Sequence, residues 1–200
     1  MSTPSTVDGR NARRSRNREL VLDAVLELFT HGNFHPTPEE VASASGVSLR
    51  SVYRYVDSRD NLLQAAMERH LEKTAHMWTL DTSIKGPLTD RIERFVEHRL
   101  RLHEAVGMSN RASRAFAQRD STVAERLVQA RRLLRRQIER QFSSELSGLS
   151  PSRRRAVLAS LDSLTQLEGL DSLMVQQALS MREARETLTF VITVLLESKE

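Results

Sequence analysis

The sequence predicts an all-α protein with an N-terminal three-helix head and a larger helical body, about nine helices in all. Apolar residues recur at helical spacing along most of the 200-residue chain. Leu, Ala, Arg and Glu are abundant, whereas the chain holds only seven Gly and five Pro. Because no segment has a convincing strand pattern, we expect helices throughout.

Composition narrows the class of protein. A chain with 39% hydrophobic and 28% charged residues is typical of a soluble globular protein. No apolar run is long enough to cross a bilayer, and the N-terminus lacks an apolar signal core. Cys is absent, which excludes disulfides and thiolate chemistry. We therefore expect a cytoplasmic protein that does not bind membranes.

Positive charge is concentrated near the N-terminus. Residues 1–18 hold five Arg and one Asp, whereas acidic and basic residues balance over the rest of the chain. Residues 1–15 have no apolar period, so we predict a disordered basic arm there. Such an arm attracts DNA phosphates of any sequence. The alternative is a solvated tail that keeps the protein soluble.

The head is predicted at residues 16–60. Its three helices are expected at residues 16–31, 38–45 and 49–56. Thr37 and Glu40 form a capping box at the start of the second helix, where Pro38 suits the first position. Gly46 allows the left-handed backbone of a sharp turn, and Ser48 caps the third helix.

The body is predicted at residues 61–200, as a ligand-binding and dimerisation domain. Further helices are expected at residues 59–78, 87–106, 110–117, 122–146, 151–179 and 181–196. Gly107 is expected to end one of them, and a capping box of Ser180 and Glu183 to begin the last. Gly169 indicates either a close approach between helices or a kink.

Two short helices joined at Gly46 are typical of a helix-turn-helix, whose second helix lies in the DNA major groove. Val52 and Val56 share one face of that helix and should pack inward. The other face is predicted to contact bases through Leu49, Arg50, Ser51 and Tyr53. Arginine suits guanine, serine suits either partner of a base pair, and leucine suits the thymine methyl group.

A second set of residues is predicted to contact phosphates: Thr37, Ser48, Tyr55 and Arg59. Thr37 combines a hydroxyl with the positive end of a helix dipole, and Arg59 is a cation at the start of the next helix. The alternative is an ordinary helical hairpin with a solvated face, and Arg54 fits either interpretation. The combination of caps, glycine turn, paired tyrosines and trailing cation favours DNA.

Residues 18–64 resemble the DNA-binding head of the tetracycline-repressor (TetR) family of bacterial regulators. The matching pieces are VLDAVLELF in the first helix, T-x-x-x-VA in the second, GVS at the turn, and VYRYV-x-S-R-x-NL after it. The resemblance implies a homodimer that binds a palindromic operator in double-stranded DNA, with an effector pocket in each body. This chain departs from the family at Arg50, often Gly or Pro, at Val56, commonly Phe, and at Arg59, usually Lys.

Broad apolar stripes on the last two long helices favour pairing across a two-fold axis. The predicted dimer interface contains Leu161, Leu164, Leu188, Ile192 and Leu195. Such a dimer would set the two reading helices about 34–36 Å apart. The alternative is that both stripes pack only on their own chain.

A mostly apolar pocket for an unknown small-molecule effector is predicted in the body. Its predicted lining is Trp78, Phe95, His98, Met108, Phe116, Gln166 and Met174. The alternative, which is commoner for residues of these types, is that they form ordinary core. The Arg-rich run at residues 126–140 is expected to be a solvated face.

Signals for catalysis are lacking in the sequence. The six His residues show no metal spacing, and no catalytic motif or phosphate-cradling glycine loop occurs. We therefore predict a non-enzymatic transcriptional regulator without metal or cofactor, a repressor that a small molecule releases from DNA. The alternatives are a helical small-molecule-binding or adaptor protein without operator binding, and an enzyme built on the helical body.

Overall fold

The computed structural model describes residues 6–55, 58–82 and 85–197, with side chains from residue 11 onward. Within these ranges the chain forms ten α-helices and no strand, which confirms the all-α fold class. The helices are α1 (Thr6–Thr30), α2 (Pro38–Ser45), α3 (Leu49–Tyr55), α4 (Arg59–Thr74), α5 (Leu88–Phe116), α6 (Ser121–Gln141), α7 (Ser143–Ser147), α8 (Pro151–Thr165), α9 (Leu167–Asp171) and α10 (Met181–Glu197). A 3-10 turn, Ala75–Trp78, follows α4, and a π-helical turn, Ser172–Gln176, follows α9. None of the described helices has the length and hydropathy needed to span a membrane.

The N-terminal unit, Met1–Thr74, contains α1 to α4. Helix α1 packs against both α2 and α4, and its buried face includes Val21 and Val25. The predicted boundary at residue 60 is too early, because α4 belongs to this unit. Leu63 of α4 is fully buried, and Arg69 Nε of α4 lies 2.8 Å from Asp23 Oδ1 of α1.

Helix α1 begins at Thr6, so the prediction of a disordered arm is wrong for residues 6–15. Residues 1–5 lie outside the described part of the chain. The side chains of residues 11–16 are exposed, which explains why no apolar period appears there. Arg and Ala favour helix by propensity alone, and the packed part of α1 supplies the first turns on which this stretch extends.

The turn between α2 and α3 follows the predicted local chemistry. Thr37 Oγ1 accepts a 3.2 Å hydrogen bond from the Glu40 amide, and Glu40 Oε2 accepts one of 2.7 Å from the Thr37 amide. Gly46 has φ 67° and ψ 11°, a left-handed conformation that costs glycine little. Val47 is buried directly after it, so both helices are fixed to one core.

The C-terminal unit, Ala75–Glu200, is built around α5, which packs against α6, α9 and α10. Its core contains buried residues from every part of the unit between α5 and α10, including Phe95, Phe142, Leu161 and Ile192. The prediction that Gly107 ends a helix is wrong, since α5 continues to Phe116.

The glycine at position 107 serves close packing instead. A Cβ there would lie 3.2 Å from His103 Nε2, so the buried imidazole would have to shift slightly to admit a side chain. A glycine inside a helix costs only about 1 kcal/mol, so α5 can continue through this position.

The helix predicted at residues 151–179 is broken. Helix α8 ends at Thr165, and Gln166 is extended with φ −70° and ψ 160°. Helix α9 then folds back, so that a Cβ on Gly169 would lie 2.6 Å from Leu164 O and closer still to Ser163 O. Gly169 therefore marks a close approach that the break at Gln166 creates. The helix predicted at residues 122–146 likewise ends early, at Gln141, and α7 follows it.

Candidate nucleic-acid interface

Helix α3 is held from one side and open on the other. Val52 is fully buried, whereas Leu49 and Tyr53 are 36% and 58% exposed. Arg50 is exposed and Ser51 half-buried, so all four residues predicted to contact bases reach solvent. We call Leu49, Arg50, Ser51 and Tyr53 the reading face. Val56, predicted to pack inward, lies outside the described residues.

Polar contacts order the reading face and its edge. Ser48 Oγ donates a 3.0 Å hydrogen bond to Ser51 Oγ, so the two hydroxyls hold each other at the start of α3. Arg54 stacks on its neighbour, with its guanidinium carbon 5.4 Å from the centre of the Tyr55 ring. Its Nη2 also donates to the Tyr55 hydroxyl at 3.4 Å. A cation over an aromatic ring is stabilised by the ring's negative face.

The two remaining phosphate candidates lie at the entry to α2. Thr37 is exposed and uses its Oγ1 as the acceptor in the capping box, which leaves the hydroxyl proton free to be donated outward. Arg59 Nε donates to Pro36 O at 3.0 Å, and Arg59 Nη2 donates to His35 O. Arg59 thus braces the connector ahead of α2, a role that the sequence did not predict.

Glu40 is held in its charged form by the same capping box. The backbone amide of Thr37, and then the side-chain amide of Asn33, lower the pKa of Glu40 below its ordinary value. The carboxylate is therefore committed to the start of α2, where it complements the helix dipole.

One of the seven residues predicted to line an effector pocket lines a cavity of the body. A cavity of about 840 Å³ lies between α5 and α10, and its lining includes Leu80, Val96, Glu97, Arg185 and Phe190. His98 lines this cavity, but the other six predicted residues do not. For those six residues the effector pocket stays a prediction.

Each of the six packs elsewhere in the unit. Phe95 is fully buried with its ring centre 5.3 Å from that of Phe142, and Trp78 packs in a cluster that includes Leu102. Gln166 Nε2 donates to Asp162 Oδ1 at 2.6 Å. The remaining three are Met108, which contacts Arg111, Met174, which packs on the main core, and Phe116, which is half-buried. The sequence pattern gives the polarity of these residues, but it does not identify the neighbours that cover them.

The polar groups beside the cavity are unusual in their burial. Burial, and then the charge of Arg99, lower the pKa of His98 to about 4, so its imidazole is neutral at pH 7. Arg99 is fully buried, and burial lowers its pKa to about 9. Its guanidinium donates to Gln137 Oε1 at 2.6 Å and to Leu134 O at 2.8 Å. No sequence signal distinguishes this arginine from the solvated ones.

The predicted dimer interface is wrong for three of its five residues. Leu161, Leu188 and Ile192 are buried in the core of their own chain, and Leu164 and Leu195 pack half-buried against that core. The first three therefore have no surface left for a partner. The apolar residues that α10 does expose are Phe190 and Val194, at 69% and 47%. Their i, i+4 spacing places them together on the outer face of the helix.

Metal ligation finds no support in the described residues, where no group of three or more His, Asp or Glu side chains is arranged to hold an ion.

The head of the chain matches a known family of proteins. Residues 21–66 match the family model described as bacterial regulatory proteins, tetR family. This segment runs from the buried part of α1, through all of α2 and α3, into α4. The head of the chain is therefore similar to that of tetR-family regulators. The resemblance inferred from residues 18–64 is thereby confirmed.

One curated protein similar to this chain is the HTH-type transcriptional repressor LfrR of Mycolicibacterium smegmatis. The two are 33% identical over 106 residues, which cover 51% of this chain and 52% of the relative. The matched segment thus spans about half the length of that protein.

Two solved structures share the fold. One is a tetR-family transcriptional regulator from Streptomyces coelicolor, with a TM-score of 0.64 and 23% identity, covering 90% of this chain and 80% of that one. The other is a TetR transcription regulator from Haloarcula marismortui, with a TM-score of 0.59 and 19% identity, covering 92% and 97%. At these identities the likeness concerns the fold.

Proposed function

We propose that this protein is a sequence-specific DNA-binding transcriptional regulator that binds a palindromic operator as a homodimer. The observation that carries the proposal is the reading face on α3, which is exposed while Val52 behind it is fully buried. A short helix braced in this way can enter a major groove without rearrangement of its own core.

Different residues of the head would take different parts of the DNA. Arg50 would pair with guanine O6 and N7, and Leu49 would contact a thymine methyl group. The phosphate contacts would come from Thr37, Ser48 and Tyr55 through hydroxyl groups, and from Arg59 through N–H groups not used on the connector. Base contacts would select the sequence, whereas phosphate contacts would set the position of the head on the duplex.

Dimer formation is proposed for the outer face of α10. Phe190 and Val194 expose more apolar surface than their neighbours on this helix, and water is a poor environment for both. A two-fold axis at this face would bring two copies of the same patch together. Two heads related by that axis would suit an operator whose half-sites repeat as a palindrome.

An effector is proposed to bind in the body and to relieve repression. The Mycolicibacterium smegmatis relative is a transcriptional repressor by name, and the cavity beside His98 offers about 840 Å³. Linkage requires that an effector which weakens operator binding by some factor is itself bound more weakly by the same factor on DNA.

The experiment that tests the function is DNase footprinting with the full chain on the DNA that flanks its own gene. We expect protection of a palindromic site that survives excess non-specific DNA and weakens steeply as salt rises. Absence of any protected site in that DNA and in a randomised duplex pool would overturn the proposal. It would favour the helical small-molecule-binding or adaptor protein without operator binding.

A further inference from the structure

A second polar surface lies beside the reading face, between the exposed first half of α1 and the end of α3. It is a cleft of about 450 Å³ within the N-terminal unit. Helix α1 contributes Asn11, Arg13, Arg14 and Asn17, and α3 contributes Ser51, Arg54 and Tyr55. We call this the arginine cleft. The sequence did not predict it, because three of its four α1 residues fall in the stretch expected to be disordered.

The charge of the arginine cleft is one-sided. Three of its lining residues are arginines and none is acidic. No described acidic side chain forms an ion pair with Arg13, Arg14 or Arg54. Arginines elsewhere do find carboxylates: Arg69 lies 2.8 Å from Asp23 Oδ1, and Arg91 pairs with Glu145. The cleft therefore concentrates positive charge that the chain itself does not neutralise.

The remaining lining groups suit an anion that also accepts neutral hydrogen bonds. Asn11 and Asn17 offer amide N–H groups, and the Tyr55 hydroxyl already lies 3.4 Å from Arg54 Nη2. Guanidinium groups with amide and hydroxyl donors around them are the usual partners of phosphate oxygens in protein–DNA contacts.

We propose that the arginine cleft binds a backbone phosphodiester of the DNA strand that borders the groove entered by the reading face. This inference rests on the proposed DNA-binding function. Arg13 and Arg14 would approach the phosphate from α1, and Arg54 from α3, so that one phosphate bridges the two helices. The first half of α1 then adds a contact that the helix-turn-helix alone does not make, and it extends the contacted site along the strand.

The chain offers a matched control on the same helix. At 100° per residue, Arg16 lies nearly opposite Arg14 around α1; it is exposed and does not line the cleft. Arg14→Gln and Arg54→Gln each remove one cleft cation, whereas Arg16→Gln removes the same charge from outside the cleft. The thermal unfolding of all three variants should match that of the original chain.

Operator affinity is measured as a function of salt for the full chain and these variants, by fluorescence anisotropy. Each neutralised phosphate contributes about 0.9 to the slope of log affinity against log salt. For each half-site that the dimer occupies, we expect Arg14→Gln to flatten the slope by roughly one unit and to weaken binding roughly tenfold, because a charge-assisted hydrogen bond is lost. Arg54→Gln should do the same, and the double variant should lose less than the sum. Arg16→Gln should leave the slope nearly unchanged.

Neutral DNA linkages locate the contact. A series of operator duplexes, each with one methylphosphonate, is titrated with the original chain and with Arg14→Gln. We expect one linkage beside each half-site to weaken the original chain while leaving Arg14→Gln unaffected. Two results would overturn the proposal in favour of diffuse attraction. One is an equal loss of operator affinity for Arg16→Gln and Arg14→Gln, and the other is the absence of any linkage at which the original chain and Arg14→Gln respond differently.

Phosphate from another source is tested in the same assay. Inorganic phosphate, added at constant ionic strength, should compete no better than sulfate if the site is built for the DNA backbone. Saturable binding of inorganic phosphate that Arg14→Gln abolishes, with operator affinity unchanged, would overturn the proposal. A chain that binds no specific DNA fails the proposed function instead, and footprinting shows that failure before any variant is made.

Discussion

His103 Nε2 lies 2.8 Å from Asp171 Oδ1, and both side chains are buried. The same carboxylate accepts a 2.6 Å hydrogen bond from Arg114 Nη2 and one from Arg111 Nη1. Three donors of α5 thus converge on the last residue of α9, immediately before the π-helical turn. This contact fixes the segment that follows the helix break at Gln166 to the central helix of the unit.

Asp171→Asn should destabilise the chain strongly. The substitution leaves Arg111 and Arg114 facing a site without its negative charge. Breaking a buried ion pair costs about 3–5 kcal/mol, and we expect about 2–4 kcal/mol here because both arginines partly reach water. Urea unfolding measures the loss.

Glu168→Gln is the control for Asp171→Asn, since Glu168 lies 2.6 Å from Arg131 in a far more exposed pair. Exposed pairs contribute about 0–1 kcal/mol, so this variant should change little. Equal midpoints for the two variants would show that the contacts of Asp171 are not a main support of α9.

Gly169→Ala should destabilise by about 3 kcal/mol or more, because the added methyl group meets backbone oxygens that cannot turn aside. The nearest are those of Ser163 and Leu164, at the end of α8. Gly148→Ala is the matched control: its φ is −80°, and a Cβ there would lie 3.6 Å from Glu145 O, an ordinary contact. Similar unfolding free energies for the two variants would contradict the close approach at Gly169.

Features set by local chemistry were predictable from the sequence. The capping boxes at Thr37 and Ser180 depend on residues three positions apart, and both are present. The left-handed turn at Gly46 is equally local. The exposed surface of α3 also followed, since one valine pointing inward determines which side of a short helix points outward.

Features set by distant residues were not predictable. Gly107 lies in mid-helix with the His103 ring packed closely on it, and the break at Gln166 is visible only in the structure, where Gly169 of α9 approaches the end of α8. An apolar stripe on a helix indicates that this face is buried, but it does not identify the surface that buries it. The sequence therefore predicts that a partner covers Leu188, whereas its own chain does. The arginine cleft was not predicted, because the exposed first half of α1 has no apolar face and therefore no period to detect.

Acid should destabilise the body through His98. Its pKa of about 4 lies below the ordinary 6.5, so the unfolded chain binds more protons between these values. The stabilisation is fully present above pH 6.5 and is lost as the pH falls toward 4. One pKa unit corresponds to 1.36 kcal/mol, and with solvent screening of this part-exposed ring we expect a loss of about 1–2 kcal/mol.

The check on His98 is urea unfolding at pH 7.0 and at pH 4.5, for the original chain and for His98→Gln. The variant should lose less stability between these pH values than the original chain, because glutamine does not titrate. Identical losses would mean that His98 does not disfavour protonation in the folded state.

Arg50→Ala should relax the sequence preference of the head. If Arg50 pairs with guanine, the variant loses about 1–3 kcal/mol on the operator and discriminates less at one base pair. Affinities for the operator and for duplexes altered at each position measure both effects. Arg50→Lys, which keeps the charge but not the paired donors, should also lose discrimination. A uniform loss on every sequence would instead make Arg50 a phosphate contact.

Phe190→Ser should shift the proposed homodimer toward monomers. Removing this apolar side chain from both copies at once doubles its effect, and we expect a weakening of dimerisation by about 2–4 kcal/mol. Sedimentation velocity over a range of concentrations measures it, and operator affinity should fall in parallel. Val128→Ser is the control, because Val128 is an exposed apolar residue of α6, at 42%, away from α10. If both variants sediment as the original chain does, the outer face of α10 is not the dimer interface, and another surface must bring the two heads together.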